Sequence, residues 1–132
     1  MTDADGAGAT AQIDLVVIQP TPFCNIDCAY CYLPDRGNRA TMRDETLGEI
    51  FRQIFALDLT QAILDVAWHA GEPLVLPPQW YEKAFSIIAE RAPPSVEVRH
   101  EFQTNGMLIS EEWCRLLKRA NAFLDDSFAR TL

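Results

Sequence analysis

The sequence predicts an α/β protein in which three strand–helix units lay down a parallel sheet. Short, mostly apolar or alternating runs at residues 13–19, 63–69 and 96–104 take turns with three segments whose apolar residues recur at helical spacing. Such alternation argues for parallel strands joined by right-handed crossovers. Closed (β/α) barrels use about 30 residues per unit. A chain of 132 residues therefore has room for three units and the beginnings of a fourth, too few to close a barrel.

Residues 1–12 are small and polar without periodicity and read as a disordered lead. Residues 13–120 then form one domain. Ile13 to Gln19 is a β-branched run stopped by Pro20 and Pro22, which suits a strand buried on both faces. Thr41 and Asp44 give a helix start signal, followed by Leu47, Ile50, Phe51, Ile54 and Phe55 along one face. The second strand, Ile63 to His69, runs into the turn Ala70-Gly71-Glu72-Pro73, where Gly71 permits a tight bend and Pro73 stiffens it.

Pro77 and Pro78 open a second helix. Its inward face is Tyr81, Ala84, Phe85 and Ile88, widened by Trp80 and Ile87. The third strand alternates strictly: Val96, Val98, His100 and Phe102 lie on one side, and Glu97, Arg99, Glu101 and Gln103 on the other. The polar side suits either a solvated sheet face or the lining of a polar barrel interior. Gly106 supplies the next turn. Ser110 caps a third helix with Glu111 and Glu112 in its first turn, where the dipole favours acids. Trp113, Leu116, Leu117 and Ala120 point inward, and Cys114 beside them reads as a core filler. The tail, residues 121–132, lacks a β-branched run and reads as irregular or as a helix extension.

Composition removes several function classes. A net charge of −8, with basic residues scattered among acids, argues against nucleic acid and against an anionic membrane surface. No apolar run approaches the roughly 20 residues that span a bilayer. The N-terminus has neither a basic region nor an apolar core of the secretory kind, so the expected setting is reducing and cytoplasmic.

The chemistry is concentrated in the loop after the first strand. Cys24, Cys28 and Cys31, three of the four cysteines, sit close enough along the chain to surround one metal centre. No fourth cysteine follows within the loop, so one coordination position stays open, unlike electron-carrier clusters closed by four ligands. A zinc site completed by a histidine or Cys114 is a competing reading, although zinc motifs usually pair two knuckles. A disulfide framework belongs to small secreted domains, and a small ferredoxin-like carrier would need a fourth cysteine placed to close the cluster.

The spacing of Cys24, Cys28 and Cys31, with Tyr30 before the last cysteine, resembles the signature of the radical S-adenosyl-L-methionine (radical SAM) enzymes. Trp68-His-Ala-Gly-Glu-Pro73 is similar to that family's Gly-Glu-Pro element, with Ala70 where the longer form often has a second glycine. Gln103-Thr-Asn-Gly-Met-Leu-Ile109 is similar to the third strand end of peptide maturases and sulfatase-maturase-like members, and Tyr32-Leu-Pro-Asp-Arg36 looks like those that crosslink ribosomally made peptides.

The resemblance implies a [4Fe–4S] cluster on Cys24, Cys28 and Cys31, with Tyr30 near the adenine of S-adenosyl-L-methionine (AdoMet). It implies that Gly71, Glu72 and Pro73 hold the methionine end, and that Gln103 and Asn105 face cofactor or substrate. The implied fold is three βα units of a partial (β/α)6 TIM-like barrel, the N-terminal half of the family's domain. A truncated or frame-interrupted product is thus expected. The implied activity is a 5′-deoxyadenosyl radical that abstracts hydrogen from a peptide, fed by an external one-electron reductant. The alternative is an inactive barrel fragment, or a subunit that needs a partner chain or self-association to complete the barrel. His69 at the second strand end suits either a ligand or base, or a histidine satisfied by its neighbours.

Overall fold

A computed structural model describes residues 11–22, 40–69 and 72–125. The elements in order are β1 (Ile13–Ile18), α1 (Asp44–Ala56), β2 (Thr60–Trp68), a 3-10 turn at Pro73–Val75, α2 (Pro78–Arg91), β3 (Glu97–Gln103), α3 (Glu111–Arg119) and β4 (Phe123–Asp125). The four strands form one parallel sheet in the order β1-β2-β3-β4. Each new strand adds on the same side of the last, as in a sheet that curls toward a barrel.

All three helices lie on one face. Strand residues of one parity, Ile18, Leu64, Val66, Trp68 and Phe102, are buried in a cluster with Leu47 and Phe51 of α1, Tyr81, Ala84 and Ile88 of α2, and Trp113 and Leu116 of α3. Trp68 is its centre. Its ring meets Tyr81 edge-on at 5.2 Å and stacks over Phe102 at 6.3 Å. Aromatic pairs of this kind contribute about 0.5–1.5 kcal/mol each beyond their burial, which holds α2 firmly across β2 and β3.

The opposite face is uncovered among the described residues. Leu15 and Val17 are 50% and 55% exposed, which corrects the expectation that the first strand is buried on both faces. Its apolar content is real, but helices cover only one side, and β1 is an edge strand. The polar side of β3 belongs to this same face, where the Arg99 guanidinium donates to both Asp65 carboxylate oxygens at 2.9 and 3.3 Å.

Three local expectations also change. Helix α1 begins at Asp44 with Arg43 at the cap position and no side-chain capping bond, so Thr41 is not its cap. Cys114 is exposed, because Trp113 and Leu116 set the buried stripe of α3 and the residue between them turns to solvent. The segment after α3 is not a helix extension: Phe123–Asp125 pair with Glu101–Gln103 as a fourth strand. Asn121, at φ 53°, adopts the left-handed conformation that ends helices and that asparagine tolerates, and this reverses the chain into β4. Ser110 does cap α3, its hydroxyl accepting from the Trp113 N–H at 3.2 Å, and Pro77 and Pro78 do open α2.

Candidate functional site

Parallel register decides which residues meet. Ile18, Trp68, Phe102 and Leu124 form one row across the sheet, so the segments that follow β1, β2 and β3 all leave the same C-terminal edge. In α/β sheets this is the edge where ligands bind. Two hydrogen bonds tie its first part together: the His69 N–H donates to the Ile18 carbonyl at 2.9 Å, and the Met42 N–H to the Pro20 carbonyl at 2.8 Å. The second bond joins the two sides of the segment that carries the three cysteines. Cys24, Cys28, Cys31 and Tyr30, like Gly71, lie outside the described residues.

Glu72 is held by several donors at the edge. It is 1% exposed and occupies the cap position of the 3-10 turn. Its Oε2 accepts from the Leu74 N–H at 2.8 Å and from the Thr104 hydroxyl at 2.6 Å, and its Oε1 accepts from the Asn105 N–H at 2.8 Å. A carboxylate is acceptor-only when ionised, and three donors use most of its capacity. Thr104 is itself buried, and its Oγ1 accepts from the Gly106 N–H at 3.1 Å. The Asn105 side-chain oxygen accepts from the Met107 N–H at 2.9 Å, closing a local turn. Gly106 takes φ 80°, a conformation glycine adopts at no steric cost.

Pro73 is fixed from the helix side, where the buried Tyr81 hydroxyl donates to its carbonyl at 2.7 Å. Burial, and then the negative charge of Glu72, push the Tyr81 hydroxyl well above its ordinary pKa of 10.0, so it stays a donor. Gln103 ends β3 on the uncovered face, opposite Asp125. The predicted residues Glu72, Pro73, Gln103 and Asn105 are thus brought to one edge. Among the described residues no three His, Cys, Asp or Glu side chains come close enough to hold a metal ion, so His69 has no such cluster there.

Sequence reasoning missed Thr104 and Tyr81. Thr104 carries a signal in hindsight: it shares the parity of His100 and Phe102, so its hydroxyl enters the buried side and needs a partner. The Tyr81 contact left none, because an inward tyrosine in a helix stripe reads as core.

No helix among the described residues is long and apolar enough to cross a membrane.

Known proteins are similar to this chain in sequence and fold. The family model for the radical SAM superfamily matches residues 18–129. An uncharacterized protein of Synechocystis sp. is 37% identical over 132 residues, covering 89% of this chain and 33% of its own. A serine-type anaerobic sulfatase-maturating enzyme of Klebsiella pneumoniae is 36% identical over 99 residues, covering 74% of this chain and 25% of that enzyme. The solved structure of native anSMEcpe with bound AdoMet and Cp18Cys peptide aligns with a TM-score of 0.71 at 25% identity, covering 85% of this chain and 30% of that one. The chain therefore spans about a third or less of the length of the curated relatives it matches.

Proposed function

This chain belongs to the radical SAM superfamily, and we propose that it carries the cofactor-binding edge of a peptide-modifying member. In this reading Cys24, Cys28 and Cys31 ligate three irons of a [4Fe–4S] cluster, and Tyr30 lies near the adenine of AdoMet. The turn at Gly71, Glu72 and Pro73 receives the methionine end, and Gln103 and Asn105 face cofactor or substrate. When bound, the cluster and AdoMet supply hydrogen-atom abstraction through a 5′-deoxyadenosyl radical, with the electron drawn from an external reductant.

The donor chemistry fits. Three soft thiolates suit iron–sulfur ligation, and a set of three leaves one iron open for an exchangeable ligand. The observation that carries the reading is the common row of Ile18, Trp68 and Phe102, which sends the cysteine segment, the Glu72 turn and the Asn105 turn from one edge. The residues themselves position rather than react. Trp68 and Tyr81 hold the Pro73 turn against the core, and Gly106 supplies the turn after Asn105. A peptide substrate is supported by the sulfatase-maturating relatives and by the peptide bound in the anSMEcpe structure. The reducing cytoplasm suits both the thiolates and the reductant.

A second reading, a unit that works only with a partner chain or a second copy, is favoured by the uncovered sheet face. Leu15, Val17 and Phe123 are exposed there, at 50%, 55% and 47%, and among the described residues β1 and β4 are the end strands of the sheet.

The test is anaerobic reconstitution with iron and sulfide, reduction, addition of AdoMet and chromatographic assay of 5′-deoxyadenosine, with Cys28→Ala as control. Product from the intact chain alone supports catalysis by these units. Cluster uptake without product supports the partner-dependent reading, and neither cluster nor product refutes catalysis by this chain and favours the inactive fragment.

A further inference from the structure

The Glu72 carboxylate is expected, by resemblance, to help hold the methionine end of AdoMet, but its surroundings give it other work. Both of its oxygens are taken by donors of the protein: Leu74 N–H and the Thr104 hydroxyl on Oε2, and Asn105 N–H on Oε1. At 1% exposure it offers a ligand almost no surface. These three donors fill most of its acceptor capacity, and an ammonium group would have to enter a site that is almost closed to solvent to use what remains. The donors also come from two different turns, Leu74 after β2 and Thr104 and Asn105 after β3. The Thr104 oxygen passes the connection on to the Gly106 N–H.

We propose that Glu72 is a positioning residue whose carboxylate fastens the turn after β2 to the turn after β3, so that both meet AdoMet as one rigid edge. The carboxylate itself does not bind the AdoMet ammonium. This rests on the reading of the edge as an AdoMet site, while the fastening is a property of the chain alone. Sequence-distant turns at such an edge have no direct backbone pairing to keep them in register. A buried carboxylate with charge-assisted bonds to both supplies it.

The test has two arms. In the first, backbone amide hydrogen exchange is measured by NMR on the cofactor-free, 15N-labelled chain. Glu72→Gln keeps one carboxyl-like oxygen and replaces the other with a donor. It is expected to speed exchange at Leu74 or Asn105 by about tenfold or more, with Val66 and His100 amides in the sheet unchanged. Thr104→Val is expected to do the same at Gly106, and Thr104→Ser, which keeps the hydroxyl, to restore protection. Unchanged exchange in both Glu72→Gln and Thr104→Val overturns the proposal.

In the second arm, AdoMet affinity of the reconstituted chain is measured by equilibrium dialysis. If Glu72 acts through the Thr104 turn, Glu72→Gln and Thr104→Val each weaken binding, the double variant is no weaker than the worse single one, and Thr104→Ser binds like the wild type. Weakening by Glu72→Gln alone, with Thr104→Val at wild-type affinity, overturns the proposal in favour of direct contact. A wild-type chain that binds no AdoMet refutes the proposed function and the positioning role with it, while the exchange data still decide whether the fastening exists.

Discussion

His100 should make the stability of this protein depend on pH in a window of its own. The imidazole lies on the helix-covered side of β3, 6% exposed, stacked on Phe85 with ring centroids 4.0 Å apart. The Trp68 indole N–H donates to its Nδ1 at 3.1 Å, which is the geometry of a neutral ring. Burial pushes its pKa down from 6.5 to about 4. The unfolded chain, with an unperturbed histidine, takes up the proton near 6.5, and the folded chain resists it until about 4. Between these values the unfolded state binds more protons, so stability falls as the pH drops through the window and is flat in this group above it. The difference amounts to about 2 kcal/mol at pH 5 and about 3 kcal/mol by pH 4. Urea unfolding followed by tryptophan fluorescence at pH 7.5 and pH 5 reads it, with His100→Gln as the reference that keeps an acceptor but does not titrate. The wild type should lose about 2 kcal/mol more than the variant over that interval. Equal losses in the two proteins would show that His100 is charged or solvated in the fold, and would refute the reasoning.

Two further substitutions probe the framework of the site. Tyr81→Phe removes the donor to the buried Pro73 carbonyl and should cost about 1–3 kcal/mol in urea unfolding; a loss below a few tenths would show that the carbonyl finds water instead. Cys114→Ser should change stability by no more than about 0.5 kcal/mol, since the thiol is exposed, whereas a loss of about 1 kcal/mol or more would place that thiol in the core after all.

The chain's large-scale order was readable because its signals were periodic. Strict alternation in residues 96–104 separated His100 and Phe102 from Arg99 and Glu101, and the structure keeps that division. The apolar run of β1 was misleading for a physical reason. Continuous hydrophobicity shows that a strand has apolar groups on both sides, but not that another layer covers both, and Leu15 and Val17 stand uncovered. Strand β4 escaped notice because only three residues pair and the turn before them depends on a single left-handed asparagine rather than a glycine. Thr41 matched a capping pattern, yet the helix starts three residues later at Asp44, whose carboxylate instead meets the Lys83 ammonium of α2 at 2.5 Å.

At the site, sequence named the segments while topology supplied their meeting. Nothing local in Gly71-Glu72-Pro73 says that its carboxylate will find a hydroxyl 32 residues away, because the partner is set by the shared row of Trp68 and Phe102. Once that row is known, the pairing follows from burial. Thr104 enters on the inward parity and Glu72 is closed off by the turn, and two buried polar groups at adjacent strand ends are each costly unless they meet. The same reasoning separates the roles of neighbouring residues: Gln103, one position earlier, has the opposite parity and ends on the uncovered face. A cofactor or peptide lying along that face would therefore meet Gln103 before Thr104. Substitutions at Gln103 are expected to alter contacts with whatever binds there, and those at Thr104 to alter the edge that presents them.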